Sequence, residues 1–369
     1  MPNNKFYFLD FKESIKLFDI LKKNQIEARF VGGCVRDAIL GIKTDDFDIA
    51  VNCDILKVCD ILEAHEIKCI KTGIKYGSIT VFVDHLKFEL TTLRKDEKCF
   101  GRQCEISKIS SFQEDASRRD FTINALYVSI DGELFDYFNG IDDLKNKKVR
   151  FIGDPSKRIS EDYLRIFRYY RFCAKLGDLS DSYHNVIKNE SKNICKLSIE
   201  RIQKEIFKIL ESSNSFEILK LMKNSNVVEN INLIDYEKIS KIKEDISLSV
   251  KLYILFTYNE LIKKFHLPKI LKNKIKGYKK FENESLIYNA YKNGFEFASE
   301  LYLIKNKMMP KKNFKNLKFP EFPVEFKDLP QDIKFAGKKL KACEKWWVEN
   351  NFQKSKEECL KYLAIIDEF

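Results

Sequence analysis

Several patterns are missing from this 369-residue chain, and each absence removes a class of function. No uninterrupted apolar run reaches the roughly 18 residues of a membrane-spanning helix, so the chain is not expected to cross a bilayer. The ten cysteines are scattered without a CxxC pair, which argues against a disulfide framework and for reduced, mostly buried thiols. The start, MPNNKFYFLDFKESIKLF, lacks the basic region, apolar centre and small-residue cleavage site of a secretory signal, so a cytoplasmic location is expected. Neither GxxxxGK followed by Ser or Thr nor GxGxxG occurs, which excludes a Walker loop and a dinucleotide fold. There is no internal repeat.

Positive charge is present in surplus: 66 Lys and Arg stand against 55 Asp and Glu, a formal net charge of +11. The surplus favours an anionic partner, with nucleic acid ahead of a membrane surface because no amphipathic anchor is evident. A solvated lysine-rich surface gives the same sum. The length implies two or more domains, and the glycines divide them: ten of the 13 lie before position 178. That split predicts a turn-rich sheet region followed by a helical remainder, with a boundary between about 140 and 155.

Before that boundary the pattern reads as helix 11–23, strand 28–32, helix 33–40, strand 46–52 and helix 54–65, then strands 68–72, 77–84 and 86–93. The last two flank a polar turn at Asp84 and His85 and predict a hairpin. Beyond Pro155 the sequence is helical: RISEDYLRIFRYYRFCAKLG ends at Gly177, a C-terminal stop, and Ser198 is placed to cap the next helix. Amphipathic helices continue from about 215 to 305, a proline-rich loop covers 309–330, and a last helical stretch runs from about 335 to 367.

The segment RFVGGCVRDAILGIKTDDFDIA, at 29–50, concentrates chemistry. Asp46 and Asp48 are two apart on the predicted strand, so both carboxylates leave one face while Phe47 points to the other. Two adjacent carboxylates repel unless a cation lies between them, and Mg²⁺ takes such oxygens together with substrate phosphates. Gly32 and Gly33 allow close backbone approach and lead into a helix whose first amides face anionic oxygens, with Arg36 one turn in. An isolated D-x-D is more often a solvated edge, and an isolated GG an ordinary turn. Together they describe a nucleoside triphosphate with its metal, and nucleotidyl transfer fits better than hydrolysis.

Two arginine motifs follow. Arg118, Arg119 and Asp120 precede a strand pattern, where a guanidinium can clamp phosphate and the aspartate can accept from a ribose hydroxyl. In EDYLRIFRYYRF, Asp162 and Arg165 are three apart on the predicted helix, and Arg168 and Arg171 continue the row. A carboxylate acceptor beside a guanidinium donor matches the pairing edges of cytosine and adenine and opposes those of uracil and guanine. The plainer alternative is an intrahelical ion pair worth about 0.2–0.5 kcal/mol.

The ordered set GGCVRD (32–37), DDFD (45–48), FELTTLR (88–94), RRDFTINALY (118–127), FNGIDDL (138–144), GDP (153–155), EDYLRIFRYYRF (161–172) and SIERIQKE (198–205) resembles the class II tRNA nucleotidyltransferases, the CCA-adding enzymes, and their bacterial poly(A) polymerase relatives. The resemblance is dense from about 28 to 210 and includes the tail. It implies an α/β N-terminal nucleotidyltransferase head with a mixed sheet, at 1–145, followed by an all-α neck (146–212), body (213–305) and tail (306–369). It also implies Asp46 and Asp48 as metal ligands and Gly32, Gly33, Arg36 and Arg119 as phosphate contacts; Glu89 on FELTTL is the candidate third carboxylate, with a solvated glutamate at a sheet edge as the plainer alternative. Asp120 falls near the ribose, and Asp162, Arg165, Arg168 and Arg171 select the base.

The reaction so implied is attack of the tRNA 3′-hydroxyl on the α-phosphate of CTP or ATP, with Mg²⁺ as cofactor and tRNA, CTP and ATP as partners; no membrane or obligate protein partner is evident. Lys338, Lys339 and Lys341 in FAGKKLK are candidates to meet tRNA phosphates, with a solvated lysine face as the alternative. No histidine is followed by aspartate, so the phosphohydrolase domain appended to some relatives is not expected. The segment 95–115 has the length of the mobile loop of members that add the terminal A, which disfavours CC-only addition. Poly(A) synthesis, partial CCA addition and a non-catalytic RNA-binding role remain as alternatives.

Overall fold

The computed structural model describes residues 6–100, 103–108, 111–231, 246–310, 318–329 and 335–366, with backbone alone along 95–100 and 103–108. The chain forms two compact units, Met1–Ile231 and Asn232–Phe369.

The first unit begins with helix α1 (Lys12–Lys23), whose apolar positions Leu17, Phe18 and Leu21 recur at helical spacing and are buried. Strand β1 (Ala28–Val31), helix α2 (Gly33–Ile39), strand β2 (Phe47–Val51) and helix α3 (Ile55–Ala64) follow. Strands β3 (Lys68–Ile70), β4 (Ser78–Val83) and β5 (Leu86–Thr92) come next, the last two as the expected hairpin. With β8 (Leu126–Val128) and β9 (Leu134–Asp136) they make a seven-stranded sheet in the order β3-β4-β5-β2-β1-β8-β9. The β2–β5 pair is parallel and every other pair antiparallel, so the sheet is mixed.

Strand alternation gives the sheet two different faces. Phe47 opposes Phe88 across β2 and β5, and both are buried in an aromatic cluster with Phe8, Phe18 and Phe30, where the Phe18 and Phe30 rings stack at 4.9 Å. One residue on, Asp48 opposes Glu89, so the same alternation turns both carboxylates to the other face. Moving either strand by one residue would exchange phenylalanine for carboxylate, which fixes the register.

Within 95–115 the described backbone forms regular elements. β6 (Arg94–Phe100) and β7 (Gln103–Lys108) pair antiparallel as a separate ladder, and helix α4 (Phe112–Ser117) follows. Positions 101–102 and 109–110 of that segment lie outside the described residues.

After α5 (Gly140–Lys145) the unit is helical, with α6 (Pro155–Glu161), α7 (Leu164–Leu176), α8 (His184–Glu190), α9 (Ile199–Glu211), α10 (Ser215–Asn224) and α11 (Val227–Asn230). Pro155 occupies the first turn of α6, and Gly177 ends α7 at φ 78°, in the left-handed region that favours glycine. Ser198 precedes α9 as expected but makes no side-chain capping bond. Helix α7 is tied to the sheet region by aromatic packing: Phe121 meets Phe172 at 5.5 Å, and Phe151 stacks on Tyr169 at 6.0 Å.

The second unit consists of helices at Leu248–Leu255, Tyr258–Lys263, Lys269–Phe281, Leu286–Asn293, Phe295–Asn306, Ala336–Glu349 and Lys356–Ile365 among its described residues. Tyr288, Val324, Cys343, Trp347, Val348, Cys359 and Leu363 share one core there. Residues 311–317 and 330 of the expected 309–330 loop, and 367 of the expected last helical stretch, lie outside the described residues. No helix among the described residues is long and apolar enough to cross a membrane.

Candidate functional site

A cleft of about 1010 Å³ in the first unit brings most of the expected residues together. Gly32, Gly33, Arg36, Asp46, Asp48, Arg119 and Asp120 line it with Asp162, Arg165, Arg168 and Arg171. Its wall carries seven arginines and two lysines against five aspartates and one glutamate, so its balance suits a polyanion. Glu89 is not part of the wall; it stands beside Asp48 on the adjoining strand.

The glycine turn is built for close approach. Gly32 has φ 75°, and a Cβ there would lie 3.3 Å from Nη1 of Arg119. Arg119 is held from behind: its Nε donates to the Tyr127 hydroxyl at 3.0 Å and its Nη2 to Oδ2 of Asp115 at 3.2 Å. Asp115 is buried, which opposes ionisation, but the Arg119 and Arg118 guanidiniums and the Tyr127 hydroxyl hold its carboxyl down at about 2. Arg36 lines the cleft but is buried with committed donors, Nε to Asp37 at 2.8 Å and Nη1 to the Asn124 side chain. With these two donors it shapes the turn while lining the cleft.

Both members of the acidic pair line the cleft. Asp46 lies just before β2 rather than within it and is exposed, whereas Asp48 is half-buried. Burial raises the Asp48 carboxyl to about 6, the Asp46 and Glu89 charges push the same way, and Arg119 and Lys87 oppose them. Lys87 supplies the cation among these carboxylates: its Nζ is 3.2 Å from Glu89 and 3.7 Å from Asp46. Asp46, Asp48 and Glu89 do not bring one oxygen each within 4.8 Å of one another, but two hard oxygen donors sharing one ammonium are chemistry that also fits a small divalent metal.

The arginine helix differs from its sequence reading in one respect. EDYLRIFRYYRF is not one helix: α6 ends at Glu161, Asp162 is extended (φ −155°, ψ 106°), and α7 starts at Leu164. Asp162 accepts the Leu164 N–H at 3.1 Å and a guanidinium N–H of Arg201 at 2.6 Å, while Arg165 donates to Glu161 and to the Arg158 carbonyl. Asp162 and Arg165 are therefore held separately by other partners, not paired with each other as in the plainer alternative, and both are on the wall. Arg168 donates through Nε to Oδ2 of Asp120 at 2.6 Å, and the second Asp120 oxygen takes the Phe121 and Asn124 N–H groups. Burial opposes that charge, but Arg168 and Asn124 bring the Asp120 carboxyl down to about 2. Asp120 thus orients Arg168 while lining the cleft. Arg171 is depressed to about 10 by burial and by the neighbouring Arg168 charge, and it lies 4.3 Å over the Phe172 ring.

Sequence reasoning missed Lys87, Phe172, Lys175 and Arg201. Lys175 reaches Asp37 at 2.7 Å and so joins α7 to α2. Arg201 lay inside the motif SIERIQKE, and Lys87 two residues before Glu89 on a strand, where alternation puts both on one face. Lys338 and Lys341 are exposed and Lys339 half-buried on the helix Ala336–Glu349, in the second unit.

Residues 28–150 match the family described as the Poly A polymerase head domain, and 179–233 match a probable RNA and SrmB-binding site of polymerase A. The chain is 31% identical over 395 residues to the mitochondrial CCA tRNA nucleotidyltransferase 1 of Homo sapiens, which covers 96% of this chain and 90% of that protein. It is 36% identical over 202 residues to the CCA-adding enzyme of Lactobacillus helveticus, spanning 54% of this chain and half the length of that relative. The crystal structure of the Bacillus stearothermophilus CCA-adding enzyme in complex with CTP shares the fold, with a TM-score of 0.71 at 20% identity over 96% of each chain.

Proposed function

The chain belongs to the CCA tRNA nucleotidyltransferase family, and we propose that it adds C, C and then A to the tRNA 3′ end from CTP and ATP, releasing pyrophosphate without a nucleic-acid template. One observation carries this reading: a single cleft holds a glycine turn, an acidic pair and an arginine-lined helix.

Asp46 and Asp48, with Glu89 beside them, would hold the divalent metal that nucleotidyltransferases of this family normally use, and their all-oxygen donor set favours Mg²⁺. When bound, the metal supplies polarisation of the attacking hydroxyl and neutralises charge on the leaving pyrophosphate. The chain supplies position. Arg119, locked by Asp115 and Tyr127 against the glycine turn, holds a phosphate oxygen without having to be ordered on binding. Asp162 and Arg165 present an acceptor and a donor to the base, the one steadied by Arg201 and the other by Glu161. Arg168, aligned by Asp120, extends the cationic wall. In the transfer the tRNA 3′-oxygen bonds to the α-phosphorus, the bond to the β-phosphate bridging oxygen breaks, and the hydroxyl proton is released.

Head, neck, body and tail at 1–145, 146–212, 213–305 and 306–369 follow from this reading, with Lys338, Lys339 and Lys341 meeting tRNA phosphates. The eight cysteines with described side chains are all free thiols, which supports a reducing compartment such as the cytoplasm. The test is to incubate the chain and Mg²⁺ with tRNA lacking its 3′ end, give CTP and ATP separately and together, and sequence the products. CC followed by one A is expected. Long A tails would make the chain a poly(A) polymerase, and no incorporation would remove the catalytic reading.

A further inference from the structure

Away from the cleft, at the β3 edge of the sheet, three side chains converge that the proposed reaction does not use. Cys59 and Glu63 are one turn apart on α3, and Cys69 stands on β3. Their ligand atoms all lie within 4.8 Å of one another, the one such grouping of three His, Cys, Asp or Glu side chains among the described residues.

We propose that Cys59, Glu63 and Cys69 form a second metal site, separate from the carboxylate site, for a borderline-soft divalent cation of the Zn²⁺ class, fastening α3 to the edge strand β3.

The Cys59 sulfur is 3.5 Å from Oε1 of Glu63. A tetrahedral ion with a sulfur at about 2.3 Å and an oxygen at about 2.0 Å sets those two atoms about 3.5 Å apart. The spacing therefore accepts the ion with little movement. Two sulfurs and one oxygen select against Mg²⁺, which takes oxygen, and for a cation that accepts thiolate.

Charge supports the same assignment. Lys71 Nζ lies 3.1 Å from Oε1 and 3.2 Å from Oε2 of Glu63, so a cation already stands at the edge of the group. Two thiolates and a carboxylate carry three negative charges; a divalent ion and the Lys71 ammonium cancel them. A cysteine thiol ordinarily keeps its proton at neutral pH, so uptake of the ion expels two protons to solvent as two sulfur–metal bonds form. Cys59 is fully buried whereas the Glu63 carboxylate is 44% exposed, which leaves an entry path and a fourth position for water.

The probe is Co²⁺ titrated into the reduced, chelator-treated full chain, read by the sulfur-to-cobalt charge-transfer band, which an all-oxygen site does not produce. The band is expected to saturate at one equivalent, with two protons released, and to be displaced by Zn²⁺. Cys69→Ser, at a half-buried position, should weaken the band and lower affinity by at least about tenfold. The exposed Glu63→Gln should keep the band but bind more weakly, with circular dichroism confirming the fold of both variants. Absence of the band in the wild-type chain, an unchanged titration in Cys69→Ser, or a Cys59–Cys69 disulfide forming in place of metal uptake would each overturn the site.

Discussion

The two units carry the same sign of excess charge in different currencies of side chain. Every arginine of the chain lies at or before Arg201, so the first unit holds them all and the second has lysine alone. Around the cleft the arginines are backed by carboxylates: Arg119 by Asp115, Arg168 by Asp120, Arg165 by Glu161 and Arg201 by Asp162. The second unit pairs its carboxylates with lysine instead, half-buried as in Lys274 with Glu300 or with half or more of the lysine exposed as in Lys279 with Glu282 and Lys327 with Glu325. A planar guanidinium fixed by a carboxylate presents its remaining donors in a set direction, whereas an ammonium on a free stem is a point charge. Under the function proposed above, the first unit would tell one base from another and the second would hold a phosphate backbone of any sequence.

The sharpest test of that division acts on the acidic pair. Asp48→Ala should lower nucleotide incorporation by on the order of 10²–10³, the range for loss of one group that stabilises transition-state charge, and leave tRNA affinity nearly unchanged. Single-turnover incorporation and filter binding measure the two separately. A matching fall in both would mean that the cleft, and not the second unit, carries tRNA binding.

Next in size is the backing of the arginines. Asp120→Asn removes the charge facing Arg168 in a buried setting and should cost about 3 kcal/mol of stability by denaturant titration, as for a broken buried pair. The same coupling predicts acid behaviour. The Asp115 and Asp120 carboxyls lie below their ordinary value of 3.8 when folded, so they contribute stability in full above about pH 4 and lose it as the pH falls through about 2. Asp115→Asn should flatten the stability curve across that window. A curve as steep as that of the unaltered chain would detach the arginines from their carboxylates.

These pairs also mark what could be read in the sequence. Local features were legible: the Gly32–Gly33 turn into α2, the β4–β5 hairpin and the Gly177 stop each depend on neighbours in the chain. What escaped was set by distance. The parallel β2–β5 pairing that puts Glu89 beside Asp48, the Arg201–Asp162 bridge and the Asp120–Arg168 bridge join residues 39 or more apart. Apolar periodicity ran unbroken through EDYLRIFRYYRF, yet Asp162 accepts the Leu164 N–H and leaves the helix, the behaviour of a capping aspartate. That residue type was the available signal. For Arg36 the adjacent Asp37 was visible in the chain, but Asn124 reaches it only through the fold.

Arg165 tests the directional half of the comparison. With Nη1 fixed by Glu161 and the Arg158 carbonyl, Arg165→Lys replaces a held fork by a single ammonium that lacks the same reach. Discrimination of C and A against U and G should fall by roughly tenfold, within the 1–3 kcal/mol of a good bidentate contact. Competition assays with mixed triphosphates measure it. Unchanged selectivity would move base choice to another wall of the cleft.

The smallest effect is expected in the second unit, and its smallness is informative. Lys338 and Lys341 are exposed, and an ammonium that meets a phosphate contributes through release of a counterion rather than through shape. Lys338→Ala and Lys341→Ala should each weaken tRNA binding a few-fold, reduce the slope of log affinity against log salt by about one, and leave the ratio of C to A to U to G incorporation unaltered. If either substitution changed the choice of nucleotide, the second unit would be reading sequence, and the separation between arginine that selects and lysine that holds would fail at its weakest point.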